Sequence, residues 1–390
     1  MSHGLLIVGG GLAAQRCCET LRALGHDGPI TIAGAEGSEP YDRPPLSKDG
    51  FAEAATDPRF RPRSWYAEHD VELRLGAAAV RLRPGARTVE LAGGERLRYD
   101  DLLIATGARP VMLPALAGYA NVQALRTLAD AQRLRAALRS GARVTVIGAG
   151  LIGLEVASSG RRVGAAVTVV EAAPLPLRGL LGPEVGLRLA AWHREDGTDL
   201  RLGAGLESAR GGDIGERRSE DEAPAAAAPV RRVEELVLAD GSRVATDHVV
   251  VAVGVRPDAA WLDGSGLELR GIGTALPRVY GAGDVTGGGH WEAAARQGAG
   301  VARALLGLDP APPAPPSFWS DQLGLRLQCV GEPAGAHATI AADLEGRGFE
   351  AVYRRDGRVS AVLLADRSAA DLRPARRLLT PEPQLERSAA

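Results

Sequence analysis

Two stretches of the chain carry the same pattern of apolar and polar positions. Each has a short apolar run, a glycine-rich turn, a segment with apolar residues at helical spacing, and a second apolar run. The first is GLLIVGGGLAAQRCCETLRALG (4–25) followed by PITIAG (29–34). The second is ARVTVIGAGLIGLEVASSGRRVG (142–164) followed by AVTVVEAA (166–173). An apolar run ending in glycine predicts a buried strand, and the spacing that follows predicts a helix, so each stretch reads as a strand–helix–strand unit. Shorter runs predict further strands: VELRLG, TVELAGG and YDDLLIATG within 71–107, then VEELVLADGSRV and DHVVVAVGVRP within 233–257. Residues 209–232 (ARGGDIGERRSEDEAPAAAAPVRR) lose this periodicity and predict a flexible surface insertion without chemistry. DPAPPAPPS (309–317) predicts a stiff linker into a C-terminal domain.

The glycines in the two repeated units fit a phosphate-binding fingerprint, Gly9-x-Gly11-x-x-Ala14 and Gly148-x-Gly150-x-x-Gly153. The first glycine permits the tight turn. The second lets backbone approach a pyrophosphate, and the third small residue lets helix and strand pack closely. The anion would lie at a helix N-terminus, where backbone N–H groups and the helix dipole favour it. Two such motifs on one chain point to two dinucleotides, a flavin and a nicotinamide. Glu171 closes the second unit's last strand, 23 residues after Gly148. A carboxylate there accepts from adenosine ribose hydroxyls and repels a 2′-phosphate, which favours NADH over NADPH. In the first unit the corresponding ribose partner is Glu36, preceded by Ala35.

Composition narrows the remaining classes. The 390 residues suffice for two or three domains, and a net charge of −2 gives no general affinity for nucleic acid. No apolar run is long enough to span a bilayer, Glu155 interrupting the best candidate, so no membrane partner is expected. The opening MSHGLLIVGGGLAA reads as strand and turn, not as a signal peptide, and predicts a cytoplasmic location. The three cysteines, Cys17, Cys18 and Cys329, include no Cys-x-x-Cys pair, and the seven histidines are scattered, so neither a dithiol centre nor a metal site is expected. Of the 46 basic residues, Lys48 is the one lysine. A lysine retained amid arginines is a candidate for a role that needs a compact ammonium group.

Lys48 ends PYDRPPLSK (40–48), which resembles the signature of the FAD-dependent ferredoxin reductases that serve Rieske dioxygenases and cytochromes P450. The resemblance continues through YDDLLIATGARP (99–110), LRTLADA (125–131), GAGLIGLEVA (148–157), VYGAGDV (279–285), HWEAAARQG (290–298) and FWSDQLGLRLQ (318–328). It implies an α/β fold with two Rossmann-like, glutathione-reductase-like domains and a small α+β C-terminal domain. The FAD domain would comprise 1–111 and 242–310, the inserted NADH domain 112–241, and the C-terminal interface domain 311–390. It further implies that Gly9, Gly11, Ala13 and Ala14 hold the FAD pyrophosphate and that Lys48 lies by the isoalloxazine. Val80, Thr106, Gly107 and Arg126 would line the FAD. Asp284 would meet its ribityl or pyrophosphate atoms, with Trp291 nearby. The cofactor-binding set extends to Arg43, Leu151, Ile152, Gly254 and Trp319. Family members pair the motif lysine with the glutamate here numbered 155. A cation near flavin N5 stabilises charge that develops as hydride arrives, and a carboxylate holds that cation.

The implied activity is hydride transfer from NADH to FAD, then single electrons to a small acidic [2Fe–2S] ferredoxin that feeds an oxygenase. Arg373, Arg376 and Arg377 are candidates for receiving that ferredoxin, equally readable as a solvated helix face. Two alternatives stay open: an NADH-binding FAD redox sensor or scaffold similar to apoptosis-inducing factor, and an NADH oxidase. The oxidase is disfavoured because 40–60 contains no cysteine. The sequence departs from the family at Ala35, at Gly289 before the His-Trp pair, in a short 270–284 segment and in the long 209–232 insertion.

Overall fold

The computed structural model describes residues 3–48, 57–139, 141–214, 230–270, 273–274, 276–287, 289–343 and 347–379. The chain forms two compact units. The first comprises Met1–Met112, Ala124–Arg135 and Val253–Pro312, the second Leu113–Gln123, Ala136–Ala252 and Pro313–Ala390. Among the described residues, no helix is long and apolar enough to cross a membrane.

The first unit is built on a seven-stranded sheet whose inner strand is Leu5–Val8. That strand runs parallel to Ile30–Gly34 on one side and Asp101–Ile104 on the other. Val71–Leu75 and Val279–Gly281 continue the parallel sheet outward. A strand with neighbours on both edges and cover on both faces has no polar side, and all four residues of Leu5–Val8 are buried. Their alternation feeds two separate cores. Leu5 and Ile7 face a layer containing Cys17, Cys18 and Leu21 of helix Leu12–Ala23 and Val301 and Ala302 of helix Trp291–Leu305. Leu6 and Val8 face Leu82, Val89 and Leu91 of a three-stranded antiparallel meander formed by Ala79–Arg83, Thr88–Leu91 and Arg96–Arg98. The two helices meet so closely that a Cβ at Gly298 would lie 2.2 Å from the Ala13 carbonyl oxygen.

The second unit repeats the plan. Arg143–Ile147 is flanked in parallel by Ala166–Glu171 and His248–Val251, and Asp199–Leu202 extends the sheet. Helix Leu151–Arg162 follows the second glycine turn. Helix Arg178–Glu195 is broken near its start by Gly182, at φ 79°, and by Pro183, which has no N–H to give. Within the region read as a flexible surface insertion, the described residues form strands. Leu206–Arg210 pairs with Glu235–Leu238, and Asp213–Ile214 pairs antiparallel with Val230–Arg231. Main-chain pairing gives these polar segments a ladder that their side chains do not announce; 215–229 lie outside the described residues.

Residues 308–316 run without helix or strand, as the prolines require. A five-stranded antiparallel sheet follows, in the order Arg358–Ala365 between Leu325–Gly331 and Phe349–Arg355, with Ser317–Gln322 and His337–Asp343 at the edges. Helix Leu372–Leu379 covers one face through Ala375, against Val362 and Leu364. Side chains fasten this sheet to the helices of the same unit: Ser158 Oγ accepts from the Leu323 N–H at 2.6 Å, and Tyr353 Oη donates to the Leu181 carbonyl at 2.9 Å.

His193, on helix Arg178–Glu195, is fully buried with Nε2 2.8 Å from Gln322 Oε1. Burial pushes its imidazole below the ordinary value, only partly offset by Gln322 and Asp196. A group that resists protonation in the folded state contributes full stability above its unfolded pKa, about 6.5, and loses it as pH falls below that value. The thermal midpoint of the protein is therefore expected to fall between pH 7.5 and 5.5. His193→Gln should remove part of that fall, as scanning calorimetry at the two pH values would register. An unchanged pH dependence in the variant would rule out this source.

Candidate cofactor sites

Each fingerprint turn is shaped by glycines that no other residue could replace. Gly9 has φ 113°, and a Cβ there would lie 2.1 Å from the Ala105 carbonyl oxygen. Gly148 takes the same left-handed conformation, φ 105°. Gly153 packs its helix onto the turn, with a Cβ position 2.0 Å from the Gly148 carbonyl oxygen. Ala14, at the third position of the first turn, is buried.

Gly11 and Gly150 differ from these. A Cβ at either would meet no atom within 4 Å. Each is the N-cap of its helix, in extended conformation, with no side chain capping the helix end. A helix start left open on its outer side, with only glycine beside it, is a cradle for an anion supplied by a ligand. The residues present thus fit a pyrophosphate at both turns.

Around the first turn the polar residues form one lattice. Glu36 accepts from Tyr41 Oη at 2.6 Å and from Arg43 Nη2 at 3.0 Å. Arg43 Nη1 also donates to the Arg126 carbonyl at 2.5 Å, and Tyr41 Oη accepts from the Leu128 N–H at 3.2 Å. Arg126 Nη2 meets Asp284 Oδ2 at 3.1 Å, while its buried Nε has no partner among the described residues. Burial, with Arg43 nearby, lowers the Arg126 pKa, and Asp284 opposes the shift. A buried donor left over beside Gly107 is chemistry that an anionic ligand would satisfy. Asp284 stands in a sharp turn after Gly283 (φ 82°), whose N–H donates to Gln297 Oε1 at 2.7 Å. Thr106 Oγ1 donates to the Asp258 carbonyl at 2.6 Å, and Gly107 (φ 73°) lies against Arg126.

Lys48 is 9% exposed and ends the 3₁₀ turn Pro44–Ser47, its Nζ 3.5 Å from the Pro44 carbonyl. Asp42 accepts from Trp291 Nε1 at 2.7 Å. Burial raises the Asp42 carboxyl, and Trp291, Lys48 and Arg16 pull it back down. Tyr41, Asp42 and Gln297 were not singled out from the sequence, although all three lie inside quoted motifs. Val80 is exposed on its meander strand.

At the second turn the Glu171 carboxylate accepts from the Ala149 N–H at 2.7 Å and from the Ala173 N–H at 2.8 Å, so it braces the glycine loop itself. Leu151 and Ile152 open the helix after it, Ile152 being exposed. Glu155 is one helical turn further on, 3% exposed, and accepts from Ser320 Oγ at 2.6 Å. Gly254, at φ 111°, gives its carbonyl to the Val111 N–H in the first unit. Trp319 lies on strand Ser317–Gln322, with the Arg326 guanidinium 5.6 Å from its ring centre. Arg373, Arg376 and Arg377 are exposed on the terminal helix. All three cysteines are buried free thiols. Burial pushes Cys18 up to about 12 and Cys17 well above the ordinary thiol value, away from the reactive thiolate form.

Residues 3–298 match the model of the pyridine nucleotide-disulphide oxidoreductases, and residues 317–390 match that of the reductase C-terminal domain. The chain belongs to the pyridine nucleotide-disulphide oxidoreductase family. Among its relatives is the ferredoxin–NAD(+) reductase component of the anthranilate 1,2-dioxygenase system of Burkholderia cepacia, 34% identical over 97% of this chain and 95% of the relative. The corresponding component of the 3-phenylpropionate/cinnamic acid dioxygenase of Photorhabdus laumondii is 33% identical over 87% of each. The covalent putidaredoxin reductase–putidaredoxin complex includes a chain with a TM-score of 0.87 and 29% identity, covering 96% of this chain and 92% of that one. The ferredoxin reductase for the CYP199A2 system of Rhodopseudomonas palustris matches with a TM-score of 0.84 and 30% identity, over 95% of this chain and 93% of that one.

Proposed function

We propose that this chain is the NADH-dependent FAD reductase of an oxygenase system, taking hydride from NADH and passing single electrons to a [2Fe–2S] ferredoxin. The observation that carries the reading is the pair of glycine cradles, each open where a pyrophosphate would lie and each at the head of a bare helix. FAD would be held by Gly9, Gly11, Ala13 and Ala14 at the first turn, with Glu36, Arg43, Thr106, Gly107, Arg126 and Asp284 around it. NADH would be held by the turn Gly148–Gly153 and by Glu171. When bound, FAD supplies the conversion of a two-electron hydride donor into two one-electron deliveries. Lys48 contributes a fixed positive charge for the flavin end of that chemistry, and Glu155 a buried carboxylate on the helix that follows the NADH turn. With every thiol buried, electrons leave by an acceptor protein, not by a cysteine. Free buried thiols also suit the reducing cytoplasm, which we retain as the location.

Anaerobic stopped-flow of the FAD-loaded protein tests the reading. NADH should bleach the flavin within the dead time or shortly after, and each NADH should then reduce two equivalents of an oxidised [2Fe–2S] ferredoxin. A stable long-wavelength band with no transfer to any of several ferredoxins would favour a sensor instead.

The Glu171 arrangement predicts coenzyme choice. Glu171→Gln loses the negative charge and one of two backbone acceptors. The NADH KM is expected to rise roughly tenfold, with the NADPH value rising less, since charge-assisted hydrogen bonds contribute about 1.5–3 kcal/mol. Equal changes for both coenzymes would assign Glu171 to bracing the loop alone.

A further inference from the structure

Glu155 does not stand alone in the second unit. Its Oε1 accepts from Ser320 Oγ at 2.6 Å, Ser320 Oγ accepts from Gln322 Nε2 at 3.2 Å, and Gln322 Oε1 lies 2.8 Å from His193 Nε2. The four residues come from two helices and one strand, with Glu155 and Ser320 165 positions apart, and they are 3%, 0%, 3% and 0% exposed in that order. Their donor and acceptor roles can be assigned outward from the carboxylate. Ser320 has a single hydroxyl proton, and an ionised Glu155 can only accept it. The Ser320 oxygen must then accept from the Gln322 amide, which turns Gln322 Oε1 toward His193. An amide oxygen only accepts, so the proton of the neutral imidazole sits on Nε2, leaving Nδ1 bare, and Nδ1 indeed has no partner among the described residues.

Every hydrogen bond in this row therefore points the same way. We infer that His193, Gln322 and Ser320 are positioning residues, a one-directional donor chain that fixes the Glu155 carboxylate in one orientation. Successive donors polarise one another, so the last O–H is a better donor to the carboxylate than an isolated serine. Side chains so thoroughly buried lose stability unless satisfied, and here the satisfaction converges on one charged group. The inference rests on the proposed role of Glu155 and deepens it: strand Ser317–Gln322 of the C-terminal domain supplies the buried donors for a group on the nicotinamide-side helix.

Other charges near the chain have their own partners. Among the elements packed on helix Leu151–Arg162, Arg143 is bonded to Asp247, Glu171 to the backbone at 149 and 173, and Asp321 lies 3.8 Å from Arg326. On the helix itself, Arg161 donates to the Asp196 and Ala165 carbonyls and Arg162 to Ser159. At the far end, Asp196 and Arg347 act on His193 in opposite directions.

The test is a double-mutant cycle with two readouts. In apoprotein labelled with ¹⁵N-histidine, the His193 ring, assigned by its loss in His193→Gln, should carry its proton on Nε2, and that N–H signal should move in Ser320→Ala, two links away. In FAD-loaded protein, Ser320→Ala should slow NADH-driven bleaching about tenfold at saturating NADH with little change in the NADH affinity. In the Glu155→Gln background the same substitution should change the rate less than twofold. Equal slowing in both backgrounds, or an unmoved His193 Nε2–H signal, overturns the chain. Gln322→Met, which cuts the row one link away, should give the same pattern at reduced size and decides the matter if Ser320→Ala fails to fold. A wild-type protein that NADH does not bleach would instead count against the proposed function, whatever the His193 signal shows.

Discussion

Gly9→Ala is expected to purify without FAD and with a lowered melting temperature. The added Cβ would sit 2.1 Å from the Ala105 carbonyl oxygen, and the residue would have to hold φ 113°, which alanine adopts only under strain. Relief requires the ends of strands Leu5–Val8 and Asp101–Ile104 to separate at the centre of the first unit's sheet. Overpacking and strain of this kind cost about 1–3 kcal/mol each, against a total stability of order 5–15 kcal/mol. Gly11→Ala provides the contrast. Its Cβ meets no protein atom within 4 Å, so the fold should persist while the methyl group occupies the space left for the pyrophosphate. The expected result is normal circular dichroism and apoprotein stability with FAD affinity reduced at least tenfold. Full FAD retention by Gly11→Ala would show that the cofactor lies elsewhere.

Lys48→Met is expected to retain FAD and yet be bleached by NADH about a hundred times more slowly. Methionine keeps most of the side chain's length and apolar stem, so the buried position loses a charge without opening a large void. The estimate follows from the 10²–10³-fold losses usual when one fixed donor at a site of developing charge is removed. Flavin midpoint potential should fall in the same variant, since the positive charge favours the electron-rich form. Lys48→Arg restores the charge on a larger, planar group and should recover the potential more fully than the rate. An unchanged rate in Lys48→Met would remove Lys48 from the chemistry.

What could be read in advance was whatever local geometry alone demands. Gly9, Gly148 and Gly283 take left-handed conformations, Gly153 packs against a neighbouring carbonyl, and each requirement leaves its mark at a single position. The buried strands were likewise plain from unbroken apolar runs. The lattice that holds Glu36 was not, because its members meet only after folding: Arg43 reaches the Arg126 carbonyl and Tyr41 the Leu128 N–H. Gln322 and His193 are 129 positions apart. Both Ser320 and Gln322 were in view within FWSDQ, yet a serine and a glutamine on an edge strand carry no sign of burial. The pairing of 213–214 with 230–231 was hidden for another reason. It is held by main-chain hydrogen bonds between polar segments, and side-chain pattern is silent about those.

The strand Val279–Gly281 sits beside Asp101–Ile104 in the first unit's sheet, and helix Trp291–Leu305 lies against helix Leu12–Ala23. During synthesis, then, the opening hundred residues emerge with one sheet neighbour and part of one core layer missing. They must wait while the ribosome makes most of the remaining chain. A nascent chain arrested before about residue 280 should expose the apolar face of Leu12–Ala23 to chaperones and bind no flavin. The nucleotide-binding strands from 143 to 251 have all their parallel partners by then and can pair first. On the proposed assignment, cofactor capture by the first glycine turn is expected to be a late event in the life of the polypeptide, although that turn is among the first residues to leave the tunnel.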